Sequence, residues 1–324
     1  MTITILDHNY SVLDANEKMT IADSFVHRSN KIGGGNGEAK FYVGNDNSEL
    51  HSFFGERGFQ IRAFLLKKDL LHYLEDAKNE YLSPEQEYIK KSKLPELWKE
   101  RIAKVNELDE IIWFTLEDQT QIRGSRVYVK SNDDAYALIR ELSLPNITYI
   151  ASLKLSSESG EIHYYFRLFV DYFGENHHTI EIQHQEEAIE AENLPSEKKK
   201  QLVTARNGQG KYRKALLEEC PYCPITIVAD DRLLIASHIK PWVVSNDREK
   251  IDPKNGFMFT PTYDFLFDRG FITFSNDKKM SISPWLSKMT CSRLNLIPEK
   301  RYDMLPIEGR TEYLAYHRDN IFKK

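Results

Sequence analysis

Cysteine is scarce in this chain, with three among 324 residues. Three thiols cannot build a disulfide framework, and an odd number leaves at least one unpaired. Long apolar runs are missing as well: no stretch reaches the eighteen or so residues that a membrane-spanning helix needs. The N-terminal stretch MTITILDHNYSVLDANEK is too polar and acidic for a secretory signal. Neither internal repeats nor low-complexity tracts occur, which excludes solenoid architectures. These absences set the expectation of a cytoplasmic protein with no membrane partner. Positive charge is also in short supply, with 44 Lys and Arg against 49 Asp and Glu and a net charge of −5. What is present is ordinary for a globular protein: 41% hydrophobic and 29% charged residues, over a length that suits two domains.

The charge deficit is unevenly spread. From Ser196 onward there are 23 Lys and Arg against 16 Asp and Glu, a balance of +7. The first 195 residues carry 21 against 33, a balance of −12. The C-terminal part therefore has the footprint expected for phosphate binding, and the N-terminal part as a whole does not. Between them Glu181–Gln201 segregates its charges, EEAIEAE before Pro195 and EKKK after it, and reads as a connector. We expect two domains, residues 1–195 and 196–324.

The first of these reads as α+β, a mixed domain with a mainly antiparallel sheet. Phe41–Val43 and Gln60–Leu66 are expected strands, and KIGGGNG at Lys31–Gly37 an open loop. Leu70, Leu71, Leu74, Ala77 and Tyr81 recur at helical spacing and predict a helix over Asp69–Tyr81. Ser83 and Gln86 have the spacing of a capping pair before another helix. The runs IIWFTL, RVYVK, ITYIASLKL and EIHYYFRLFVDYF are β-branched and aromatic and predict strands, with a helix at Asp133–Leu142 among them. In Gln119–Lys130 (QTQIRGSRVYVK), arginines and amides interleave, so Arg123, Arg126 and Lys130 are candidates for reading DNA. A polar turn before a solvated strand has the same composition. Trp113, Phe114 and Tyr164–Phe166 suit either base stacking or core packing, and packing explains them better.

The densest chemistry lies in Leu233–Gly270. His238 ends an apolar run, and an Asn-Gly pair follows seventeen residues later at Asn255 and Gly256. Asp264 and Asp268 stand four apart in a short segment opened by Pro261. A β-hairpin followed by a helix would bring these residues to one point, both carboxylates on one helix face. By itself the Asn-Gly pair is a hairpin signal. Oxygen ligands on a helix, faced by an imidazole, are what a metal-assisted hydrolase needs.

This pattern resembles the HNH nucleases, the ββα-metal fold, in the branch found in restriction-type enzymes. The residues that carry the resemblance are ASHIKPW at Ala236–Trp242, DPKNG at Asp252–Gly256 and DFLFDRG at Asp264–Gly270. Arg206–Leu217 looks like the basic lead-in helix of that branch, and Phe271–Ser283 like its closing hairpin, so the likeness covers roughly residues 200–290. It implies that His238 takes a proton from the attacking water, Asn255 orients it, and Asp264 and Asp268 are metal ligands. Nuclease-colicin-like members carry histidine at both helix positions; aspartates there favour Mg²⁺, or Mn²⁺, over Zn²⁺. Ser237 stands where many members have a further ligand. Arg206, Lys211 and Arg213 of the lead-in helix, with Lys240 and Arg248 beside the motif, are candidates for DNA contact. Cys220 and Cys223 form a single CPYC pair, and Cys291 lacks a neighbour, so a structural Zn²⁺ is not expected.

The resemblance implies a metal-dependent endonuclease acting on double-stranded DNA, as a homodimer, at sites chosen by the N-terminal domain. Two alternatives stay open. One is an antiviral effector nuclease of low sequence specificity, gated by a ligand or partner. The other is a DNA-binding protein with a vestigial nuclease fold.

Overall fold

A computed structural model describes residues 1–21, 40–44, 47–84, 88, 91–118, 127–130, 133–144, 147–170 and 210–324. The chain divides into two compact units, Met1–Tyr172 with Pro284–Lys288, and Phe173–Ser283 with Met289–Lys324. The expected boundary at Pro195 and the loop Lys31–Gly37 lie outside the described residues. None of the described helices is long and apolar enough to cross a membrane.

The first unit is a mixed α/β body built on an eight-stranded sheet, mainly antiparallel. Its strands are β1 (Thr2–Ile5), β2 (His8–Ile21), β3 (Lys40–Gly44), β4 (Gln60–Leu66), β5 (Ile111–Asp118), β6 (Val127–Lys130), β7 (Thr148–Ser157) and β8 (Ile162–Val170). They lie in the order β1-β2-β3-β6-β5-β4-β8-β7, and β7 also pairs with β2, so seven of them form a closed circuit. The one parallel pairing joins β4 to β8. Alternation assigns the two faces. Ala63, Leu65, Phe114, Leu116, Tyr164, Phe166 and Leu168 pack in one core with residues of the helices Asn47–Phe54, Lys67–Asp76 and Asp134–Leu142. Phe64, Leu66, Leu153, Tyr165 and Phe169 face the other way, where Trp285 of the late segment Pro284–Lys288 packs on Tyr165 and Phe169 with ring centroids 5.2 and 5.1 Å apart.

Most expected strands of this unit are found; one hairpin was missed and one helix is corrected. The hairpin β1–β2 was not expected, because its turn uses Leu6 and Asp7 at φ 45° and 66° instead of the Asn-Gly pair that advertises such turns. The helix expected over Asp69–Tyr81 breaks at Ala77 into Lys67–Asp76 and Lys78–Leu82. Ser83 follows the second of these, its N–H donating to Asn79 O; Gln86, its partner in the expected capping pair, lies outside the described residues, and the next described α-helix is Leu94–Asn106.

The second unit begins, among its described residues, with a helix over 210–219. Strands β9 (Ile235–His238) and β10 (Gly256–Phe259) pair antiparallel, His238 opposite Gly256. The helix Pro261–Asp268 follows, with proline in its first turn, where the lost N–H costs nothing. It ends at Gly270, whose φ of +69° and N–H to Phe267 O, with Phe271 N–H to Leu266 O, stop the helix as glycine allows. The expected closing hairpin is β11 (Ile272–Phe274) with β12 (Met280–Ile282), and a further helix runs over Thr311–Asn320. Strands this short are not stable by themselves. Phe257, Phe259, Phe267 and Phe274, all buried, supply the core between them, with ring centroids 5.4–6.1 Å apart.

The Asn-Gly pair needs a different explanation from the tight turn its sequence suggests. Gly256 is extended at φ −166°, and the connection from β9 to β10 spans residues 239–255. Glycine is required there by crowding: a Cβ would lie 1.9 Å from Tyr212 Oη and 2.9 Å from Ser237 O.

Candidate active site

His238 stands at the end of β9, at the mouth of the long connection. Its ring stacks on Tyr212 of the 210–219 helix, centroids 3.9 Å apart and planes 14° apart, and meets the edge of Trp242 at 5.6 Å. Its Nε2 lies 3.1 Å from the carbonyl of Lys250. A carbonyl can only accept, so this bond assigns the hydrogen to Nε2 and the lone pair to Nδ1. Burial pulls the imidazole pKa down to about 4, against smaller upward pulls from the Lys250 carbonyl and the Asp264 carboxylate. The ring is therefore neutral near pH 7, the form that can accept a proton.

Asn255 is fully buried and uses both ends of its amide. Oδ1 accepts from Lys240 N at 2.8 Å, while Nδ2 faces Lys240 O at 3.1 Å, Glu249 O at 3.2 Å and Ser245 Oγ at 3.4 Å. One side chain thus fastens the far end of the connection to its beginning and to its middle. A substituent without both a donor and an acceptor would strand buried backbone groups.

Asp264 lies in the first turn of its helix, 3% exposed, and close enough to His238 to influence its titration. Asp268 is the last residue of that helix and is exposed. Among the described residues no group of three or more His, Cys, Asp or Glu side chains is gathered as a metal cage. That donor set still suits a hard cation such as Mg²⁺, which keeps several waters and takes one or two carboxylates plus substrate phosphate. Cys220 and Cys223 are free thiols, both buried, and Cys220 Sγ donates to Tyr222 O at 3.3 Å.

Several organising residues were not singled out by the sequence. Arg310, 1% exposed, donates from Nε to Gly256 O at 3.0 Å and from Nη2 to Pro253 O at 3.2 Å and Glu219 Oε2 at 3.1 Å. It pins β10, the connection and the first helix together from behind the site. His317, equally buried, stacks on Phe267 at 3.9 Å and bridges Phe267 O and Thr273 Oγ1. Tyr212 not only stacks on His238 but donates from Oη to Asn255 O at 3.0 Å. The i, i+4 pair Tyr212 and Leu216, both buried, was the available signal for that last contact. Arg310 and His317 have no clear local signal, because most of their partners lie 44–91 residues away.

The candidates for DNA contact are placed unevenly. Lys211 and Arg248 are exposed. Arg213 donates to Leu234 O at 2.8 Å and Asp231 O at 2.6 Å, and Lys240 is held by Glu249 at 2.7 Å. Arg123, Arg126 and Arg206 lie outside the described residues; Lys130 ends β6, its backbone opposite Lys40 and Glu117. Of the aromatic candidates, Phe114, Tyr164, Tyr165 and Phe166 are core residues. Trp113 is not: it is 38% exposed, with the Arg62 guanidinium 4.1 Å from its ring centroid.

Residues 223–275 match the family model described as HNH endonuclease. The matched segment holds β9, the long connection, β10, the helix Pro261–Asp268 and β11, and with them His238, Asn255, Asp264 and Asp268. It supports a nuclease. A search of curated proteins finds no match to the chain.

Proposed function

We propose that this chain is a metal-dependent DNA endonuclease of restriction type, cutting double-stranded DNA with its C-terminal unit at sites selected by its N-terminal unit. The observation that carries this reading is a neutral histidine, oriented by a backbone carbonyl and neighboured by a buried carboxylate, inside the segment that matches the HNH endonuclease family model. In this reading Nδ1 of His238 takes the proton of a water that attacks the phosphate in line. The Nε2–H bond to Lys250 O keeps the ring from turning, and the Asp264 carboxylate stabilises the imidazolium once the proton has arrived. The bond to the 3′ oxygen breaks and that oxygen takes a proton from solvent, leaving a 5′ phosphate and a 3′ hydroxyl. Asp264 and Asp268 would hold a divalent cation, Mg²⁺ or Mn²⁺ before Zn²⁺ because their oxygens are hard. When bound, such a cation polarises the phosphate and neutralises charge on the leaving oxygen. One site cuts one strand, so a double-strand break requires two copies, for which a homodimer on a two-fold symmetric site is the simplest arrangement.

Purified protein incubated with plasmid and phage DNA tests the reading. Discrete fragments that vanish with EDTA and return with Mg²⁺ or Mn²⁺ support it. Undiminished cleavage in EDTA removes the metal, and no cleavage of any DNA removes the nuclease. The −12 balance of the first 195 residues favours a second reading, an effector nuclease of low specificity. A smear that appears only with an added activator would select it.

A further inference from the structure

The connection between β9 and β10 contains an ion pair that the proposed chemistry leaves unused. Lys240 Nζ donates to both oxygens of Glu249, at 2.8 and 2.7 Å, and the two side chains are only 20% and 21% exposed. Lys240 is further confined by the Tyr316 ring, whose centroid is 5.4 Å from the ammonium. A lysine reaching for a phosphate would stand in solvent, as Lys211 does. This one is committed within its own loop.

The loop explains what the pair holds. Glu249 Oε2 also accepts from Asn246 N at 2.8 Å, and Asn246 Oδ1 accepts from the N–H groups of Arg248 and Glu249, both at 3.0 Å. Lys250 N donates to Asn246 O at 3.0 Å, so Asn246–Lys250 is one closed turn. The carbonyl on one side of its last peptide, Glu249 O, accepts from Asn255; the next carbonyl, Lys250 O, accepts from His238 Nε2. Lys240 is itself tied to Asn255 by its own N–H and carbonyl. The turn that presents Lys250 O to the imidazole is therefore fastened to β9 through Asn255 and through the Lys240–Glu249 pair. A doubly bonded, part-sheltered pair of this kind is stronger than a solvent-exposed one.

We propose that Lys240 and Glu249 are positioning residues whose ion pair holds the Lys250 carbonyl against His238 Nε2 and so fixes the tautomer and orientation of the imidazole. The inference rests on reading His238 as the base, and it replaces the expected phosphate contact of Lys240 with a role inside the loop.

Long-range ¹H–¹⁵N spectra of the full chain with labelled histidine report the tautomer without any substrate. Wild type should show His238 protonated at Nε2 at neutral pH. Glu249→Gln, nearly isosteric, and Lys240→Met, which keeps the packing on Tyr316, should each give a mixture of tautomers. Lys240→Arg, which keeps the cation and leaves Glu249 its bond from Asn246 N, should stay close to the wild-type tautomer. Thermal melting of each variant identifies any that does not fold, and Lys240→Arg then carries the decision. A folded Glu249→Gln or Lys240→Arg protein whose tautomer contradicts these expectations overturns the proposal. Where cleavage is measurable, kcat should fall tenfold or more in Lys240→Met with KM and the salt slope of DNA binding unchanged. A salt slope reduced by about one would instead make Lys240 a phosphate contact and overturn the positioning role. A shifted tautomer in a protein whose wild type cuts no DNA would leave the positioning intact and remove the nuclease reading.

Discussion

The two units of this chain differ in how much of their cohesion comes from strand ladders and how much from buried polar side chains. In the first, strands of up to 14 residues form long ladders, and the faces between them are filled by apolar and aromatic side chains. In the second, the described strands β9 to β12 are three or four residues long, and buried polar side chains do much of the joining. Asn255, Arg310 and His317 each bond to backbone groups distant in sequence. The difference teaches that the second unit cannot separate its scaffold from its candidate site: the groups that position His238 also close the fold. The first unit also has buried polar links, Arg101 to Tyr81 and Tyr73 to Thr148 among them, but these join helices to one another and to a sheet whose ladders are already long.

The largest effect expected from this contrast is at Arg310. Arg310→Ala leaves Gly256 O and Pro253 O without their donor, while Glu219 keeps Lys254 at 2.9 Å. Because Glu219 retains a partner, the cost should fall near the low end for breaking a buried pair, about 3 kcal/mol. Urea unfolding of the variant measures it, and a loss below about 1 kcal/mol would mean the polar links are dispensable. Next comes Gly256→Ala, which forces Tyr212 off its place and should cost roughly 1–3 kcal/mol. Adding Tyr212→Phe, which removes the clashing hydroxyl, should recover part of that loss, although Tyr212→Phe alone is destabilising. Strict additivity of the two substitutions would contradict the packing account.

Acid should also discriminate between the units. Burial holds His238 and His317 at about 4 in the folded chain, against 6.5 for a free imidazole. Between those values the unfolded chain binds more protons, so their contribution is complete above pH 6.5 and declines as pH falls toward 4. Unfolding followed at pH 7 and pH 5 should show this decline, and His317→Gln should flatten it. An unchanged slope in that variant would remove His317 as a cause. The smallest effect is expected in the first unit: Trp113→Ala, at a half-exposed position on the sheet, should cost about 1 kcal/mol, far less than a core aromatic.

The same contrast explains what could be read from the sequence. Six strands of the large sheet follow from runs of β-branched and aromatic residues, since a ladder rewards local composition. The turn at Leu6–Asp7 and the break at Ala77 were invisible, because neither uses the residues that mark turns and helix ends. The pairing order was equally hidden: nothing in β2 says that it will meet β1, β3 and β7. In the second unit, His238, Asn255 and Asp264 stood out through spacing, and the strand, strand and helix that carry them occur in the expected order. Lys240 shows the limit of that reading. Its charge and place suggested a phosphate, and only the fold brings Glu249, nine residues on, to its ammonium. Gly256 shows another limit: a glycine after asparagine looks like a turn, whereas here it makes room for a tyrosine.

The account's central claim is that His238 is the base for DNA cleavage, and His238→Gln tests it most directly. Glutamine keeps much of the ring's volume beside Tyr212 and Trp242 but offers no nitrogen that can accept a proton. Plasmid cleavage with Mg²⁺ should fall by a factor of at least about 10², with thermal stability and DNA binding close to wild type. Cleavage by a folded His238→Gln protein at a rate near wild type would contradict the claim.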